Sequence, residues 1–140
     1  MLAAFPLLAL PVLLYNLLML TISGAFGGAG AGQRLSSPLV SLKMASHAVW
    51  SISLGDVLIA GSLLILFAEL LKSAGTRRIA ILNHSLSMIL FVICLVEFLL
   101  FPAFATSTFF LIGLMVLLDV LAGFVVTIIA SRREADFHAD

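Results

Sequence analysis

The sequence predicts an all-α integral membrane protein: a four-helix bundle with an additional short amphipathic helix at the membrane interface. Composition, run length and helical patterning each lead to that fold class. Of the 140 residues, 63% are hydrophobic and 10% charged, against about 25% charged and 45–50% apolar in an ordinary soluble domain. The mean hydropathy is +1.28. Four apolar runs, 2–22, 55–72, 79–101 and 107–130, each approach or exceed the ~20 residues that a helix needs to cross a bilayer. A water-soluble globule of this composition would expose too much apolar surface to stay monomeric. The runs occupy most of the chain, so 1–140 reads as a single transmembrane domain with an outer segment at 23–54 and a tail at 131–140.

The first run, 2–22, resembles a secretory leader in position only. No Lys or Arg precedes Arg34, and the run exceeds the 7–15 apolar residues of a signal core. It is expected to be retained as a span despite the small residues Ser23, Gly24 and Ala25 behind it. Pro11 removes a backbone donor and predicts a kink in a helix that starts at Leu2. Asn16 is positioned to hydrogen-bond across a helix interface.

In the outer segment, residues 23–32 hold five glycines, too many for that stretch to hold a rigid shape alone. After Pro38, the apolar positions Leu39, Leu42, Ala45, Val49 and Ile52 recur every three or four residues. This spacing predicts a short amphipathic helix at the outer interface, with the single tryptophan, Trp50, at headgroup depth.

The other three runs each carry one polar or small stripe: Gly55, Ser62, Glu69 and Ser73; Asn83, Ser87, Leu90, Cys94 and Glu97; Thr108, Asp119, Gly123 and Ala130. At about 100° per residue each set falls on one helix face. Small residues let backbones approach and polar ones bond across an interface, so the three stripes are expected to face one another. Asp56, at the start of the second run, is a helix N-terminal stabiliser. Arg77 and Arg78, with Lys72 nearby, and Arg132 and Arg133 fall on one side of an even number of spans. The positive-inside rule makes that side cytoplasmic, so the expected location is the cell inner or plasma membrane, multi-pass, with both termini in the cytoplasm. No inverted repeat is evident.

Ionisable groups inside a bilayer cost at least ~2.5–3.5 kcal/mol each at its centre, so those retained must pair, face protein or line water. The candidates are Glu97, Asp119, His84, Glu69 and Asn83. Glu69 precedes Lys72 by three residues, a spacing that predicts an ion pair on the helix surface. His84 flanks the stripe of the third run, where its ring caps the helix start or meets lipid headgroups. Asp119 is 13 residues from Thr106 and from Arg132, about 20 Å from each end and hence near the midplane. Glu97 lies toward the outer side. Neither Glu97 nor Asp119 has an opposite charge in its own helix. They therefore act as hydrogen-bonding ties between helices, as rungs of a proton or cation relay with His84 and Glu69, or as partners of a basic residue from another subunit.

Other chemistries lack their residues. With net charge zero there is no field to hold a nucleic acid. Cys94 is the sole cysteine, which rules out an intrachain disulfide; within an apolar run it reads as a small hydrophobe. No HxxxH, CxxC or HExxH spacing occurs for a metal, and no phosphate-binding glycine motif or nucleophile elbow is present. His47 and His84 lie on opposite sides, so only a homodimer could supply a matched pair for a haem, and no cofactor is expected. The sequence thus points to a non-enzymatic membrane protein that associates with itself or with other membrane subunits in the lipid bilayer. An oligomeric proton or cation conduit through Asp119 and Glu97 is the alternative.

Overall fold

A computed structural model describes residues 5–23, 30–73 and 77–137. In chain order the elements are α1 (Ala9–Ser23), α2 (Ala31–Leu35), β1 (Pro38–Lys43), β2 (Val49–Ser53), α3 (Leu54–Ser73), α4 (Arg77–Leu100), a single 3-10 turn (Pro102–Phe104) and α5 (Ser107–Phe137). The chain is mostly helical. Among the described residues three helices are long and apolar enough to cross a membrane, over Leu54–Lys72, Leu82–Leu100 and Ser107–Ile129. These match the second, third and fourth apolar runs. α5 continues as helix through the expected tail to Phe137.

The first run departs from expectation. The chain turns at residues 6–8, where the Ala9 N–H donates to the Pro6 carbonyl at 3.1 Å and the Leu10 N–H to the Leu7 carbonyl at 2.9 Å. α1 therefore starts at Ala9 and has 15 residues, about 22 Å of helix against a hydrocarbon thickness of ~30 Å. Among the described residues the helices of spanning length are thus three, and a four-helix bundle is not confirmed. Pro11 falls in the first turn of α1, where its missing N–H removes no helical bond and its fixed φ suits the geometry. The expected kink has no cause, because no turn of helix precedes the proline. Residues 2–4 lie outside the described residues.

The outer amphipathic helix is also corrected: residues 38–53 form an antiparallel hairpin. Val40 pairs with Ile52 and Leu42 with Trp50 on one face, while Ser41 pairs with Ser51 and Lys43 with Val49 on the other. The apolar residues that suit a three-to-four spacing suit an alternation of two equally well. Val40, Val49, Trp50 and Ile52, β-branched or aromatic, favour the strand. The turn decides it. The His47 N–H donates to the Met44 carbonyl at 2.9 Å and the Met44 N–H to the Ala48 carbonyl at 2.8 Å, with His47 left-handed at φ 65°. This is the three-residue hairpin loop that ends in a left-handed residue.

At the other end of β2 the chain passes directly into α3. Ser53 caps the helix: its Oγ accepts the Asp56 N–H at 3.2 Å, and Asp56 Oδ2 accepts the Ser53 N–H at 2.8 Å. This reciprocal pair satisfies two donors at the helix start.

α5 packs against both α3 and α4, and the three small or polar stripes meet there. Ser62, Glu69, Asn83, Ser87, Cys94, Thr108 and Asp119 are all buried, while leucine, valine, isoleucine and phenylalanine cover the outside of the helices. α1 is fastened by Tyr15. Its ring packs on Phe104 and Phe109 at centroid distances of 5.5 and 4.7 Å, and its hydroxyl donates to the Ala103 carbonyl at 3.2 Å. The same hydroxyl lies 2.6 Å from Thr106 Oγ1, which caps α5 by accepting the Phe109 N–H at 3.2 Å.

Where α3 and α5 begin side by side, a Cβ on Gly55 would stand 2.7 Å from Thr108 Oγ1 and 3.3 Å from the Leu35 carbonyl. Gly55→Ala is expected to lower stability by about 1–3 kcal/mol through overpacking. Adding Thr108→Ala should return part of the loss, as read by thermal unfolding in detergent. An unchanged Tm in the single variant would contradict this close approach.

Candidate functional site

The polar residues gather where the C-terminal turns of α3 meet the N-terminal half of α4. Glu69 and Lys72 lie one turn apart on α3 and form a salt bridge of 3.1 Å. The pair is not on the helix surface as expected, since Glu69 is 0% exposed. Asn83 of α4 donates to Glu69 Oε1 at 2.5 Å, and the Leu7 N–H donates to Oε2 at 2.5 Å. Lys72 Nζ also donates to Asn83 Oδ1 at 3.0 Å and to the Phe5 carbonyl at 2.5 Å. An ammonium has three protons, and Glu69, Asn83 and Phe5 take all three. Both carboxylate oxygens of Glu69 are engaged as well. The set therefore closes on itself, joining α3, α4 and the segment before α1.

One turn along α4 from Asn83, the Ser87 hydroxyl lies 2.6 Å from Asp119 Oδ2 and 3.1 Å from the Asn83 carbonyl. Asp119 is 3% exposed. Ser87 thus links α5 to the Glu69 set through the backbone of Asn83.

His84, beside this chain of contacts, neither caps the helix with its ring nor reaches outward. Its ring stands edge-on to Phe124 at 5.0 Å and 89°. It lies over Gly123, where any Cβ would overlap the imidazole. Gly123 follows Asp119 by four residues on α5, so the same helix face holds Ser87 and seats His84. His84 Nε2 is buried without a hydrogen-bond partner.

Glu97 stands apart. Its Oε2 accepts from Asn16 Nδ2 at 3.2 Å, and the same amide donates to the Val12 carbonyl at 3.1 Å. Asn16 thus makes the cross-helix bond expected of it, to α4. From Ser87 to Glu97 is ten residues of α4, about 15 Å, and the stripe between them is Leu90 and Cys94, with Cys94 2% exposed. Glu97 borders a cleft of about 380 Å³ between α1 and α4, whose other walls include Val12, Leu13, Leu86 and Ile93. A second cleft of about 300 Å³, between α4 and α5, is lined by Phe91, Cys94, Phe98, Phe110 and Leu114. The structure therefore brings Glu69, Asn83 and Asp119 together, with His84 alongside, and leaves Glu97 in a separate contact.

Sequence reasoning missed the roles of four residues. Lys72 reaches Phe5 and Asn83 as well as Glu69. Tyr15 and Thr106 fasten α1 to the start of α5. Gly123 seats His84. The i, i+4 spacing of Asp119 and Gly123, set against Ser87 and His84 three residues apart on α4, was the available signal for the last. Among the described residues no group of three His, Cys, Asp or Glu side chains is placed to hold a metal ion. Comparison with protein-family models, curated proteins and solved structures gives no match.

Removing Glu69 takes the counter-charge from Lys72 and the acceptor from Asn83 Nδ2 and the Leu7 N–H, which for a buried pair costs about 3 kcal/mol or more. Glu69→Ala is therefore expected to lose most folded protein on mild heating in detergent. Asp119→Asn keeps a hydrogen-bonding group against Ser87 and should cost about 1 kcal/mol or less. Equal losses in size-exclusion recovery after heating would contradict this ranking.

Proposed function

We propose that this chain is a small non-enzymatic integral membrane protein that acts as a subunit or accessory component, associating with itself or with a larger membrane complex. The observation that carries the reading is how its buried polar groups are used. Lys72, Glu69 and Asn83 bond one another, and Asp119 is held by Ser87. Ionisable groups that satisfy one another tie helices together, whereas groups that line water serve passage. The apolar outer faces of α3, α4 and α5 are then left for lipid and for other membrane helices.

The proposed location is the cell inner or plasma membrane, with both termini cytoplasmic. Arg77 and Arg78 begin α4, and Arg132 and Arg133 lie in the final turns of α5, which in an antiparallel arrangement share one side. The positive-inside rule assigns that side to the cytoplasm. α1 supports a fourth, shorter crossing: Phe5 meets Lys72 at the basic end, and Tyr15 meets Ala103 at the other.

The alternative, an oligomeric proton or cation conduit through Asp119 and Glu97, needs water or a second chain to bridge Leu90 and Cys94. The two readings part at a pull-down of the tagged protein from nanodiscs followed by native mass spectrometry. A stoichiometric partner or a defined homo-oligomer is expected, and a lone monomer throughout would overturn the subunit reading. In liposomes, folded Asp119→Asn protein is expected to behave as wild type in proton flux; abolished flux would favour the conduit.

A further inference from the structure

The hairpin combines a strong apolar face with a fixed attachment. Val40, Leu42 and Trp50 are 52%, 45% and 53% exposed and share one face with Ile52. The opposite face carries Ser41, Ser51, the exposed Val49 and Lys43, the one Lys, Arg, Asp or Glu between residues 38 and 53. No residue separates β2 from α3, and the Ser53–Asp56 cap holds the joint. The base of the hairpin is therefore pinned to the end of a helix of spanning length.

We infer that the β1–β2 hairpin is a lipid-docking element that lies along the headgroup layer, with Val40, Leu42, Trp50 and Ile52 turned toward the acyl chains and Lys43 toward phosphate and water. The inference rests on the membrane reading proposed above. Depth selects this position. A two-stranded ribbon has unpaired backbone groups along both edges, which the hydrocarbon core cannot satisfy. In bulk water an isolated hairpin is marginal, and its apolar face would stay wet. The headgroup layer supplies water to the edges and an apolar bed to the face, and indole prefers that depth.

Size selects the orientation. The six residues of β1 extend about 20 Å, whereas the polar layer on each side of a bilayer is only about 5–8 Å thick. A hairpin standing upright would carry Leu42 and Trp50 clear of the lipid; one lying flat keeps the whole face in contact.

Trp50 is the only tryptophan, so its fluorescence reports this element alone. The full chain is reconstituted in phosphatidylcholine vesicles carrying brominated acyl chains. Flotation with the vesicles establishes insertion. Expected are a blue-shifted emission, stronger quenching by bromines near the carbonyl end of the chain than near its methyl end, and weak quenching by aqueous iodide. A Met44→Trp probe in a Trp50→Phe background tests orientation, and a flat hairpin gives the same shallow quenching at its tip. Iodide quenching of Trp50 without bromolipid quenching, in protein that floats, would overturn the hairpin inference and leave the membrane reading standing. Protection from both quenchers would overturn it too, by placing a protein or a second copy on the face. Protein that fails to float removes the membrane reading, and the hairpin inference with it.

Discussion

Glu69 is a carboxylate with no exposed surface, and the arrangement of the helices depends on how it is satisfied. An ionised group removed from water must recover its solvation from the protein, and a half-satisfied set is worse than none. Lys72 comes from the same helix, Asn83 from α4 and the Leu7 N–H from the chain ahead of α1. Because these bonds join α3, α4 and the segment before α1, the segments are fixed in register as well as in proximity. Ser87 carries that register one turn farther to Asp119, and so to α5. Apolar packing can hold helices at many relative heights, whereas this set of bonds closes at one.

The opposite end is fixed by shape more than charge. Tyr15, Phe104 and Phe109 stack where the α4–α5 turn passes α1, and the absent side chain at Gly55 lets α3 and α5 begin in contact. Between the two ends, Cys94, Ile112 and Val116 form a buried apolar stretch of core. That stretch separates Glu97 from Asp119, which is why the acids, legible as one ladder along α4 and α5, divide into two separate contacts. A conduit needs the polar groups to be continuous; a helix tie needs each to be locally complete. Here each acid has its own cross-helix partner, Glu97 in Asn16 and Asp119 in Ser87.

Helical periodicity made the three long spans and their facing stripes legible, because residues 100° apart around an axis must share a face whatever they touch. The Glu69–Lys72 pair was legible from spacing, but its burial was not, since burial depends on Asn83 and on a segment more than sixty residues earlier. Two local features were misread for definite reasons. The apolar residues of 39–52 satisfy two periods at once, and the left-handed turn residue is His47 rather than the glycine or asparagine that usually signals such a loop. In the first run, hydropathy counts residues without regard to where the helix starts. The turn at residues 6–8 shortens α1 although the sequence stays apolar. Glu69, Asn83 and Asp119 were legible as members of facing stripes, without the bonds that link them; the seat of His84 on Gly123 was not read, although Gly123 lies on the Asp119 face of its helix.

A double-mutant cycle between Glu69 and Asn83, measured as reversible unfolding in bicelles, tests most directly whether the buried polar set holds the helices. Glu69→Leu and Asn83→Leu singly and together give the coupling. Contact within a shared network predicts a coupling of about 1–3 kcal/mol, with the double variant losing much less than the sum of the singles. Additive losses would contradict the account, leaving apolar packing alone to hold α3 and α4 in place.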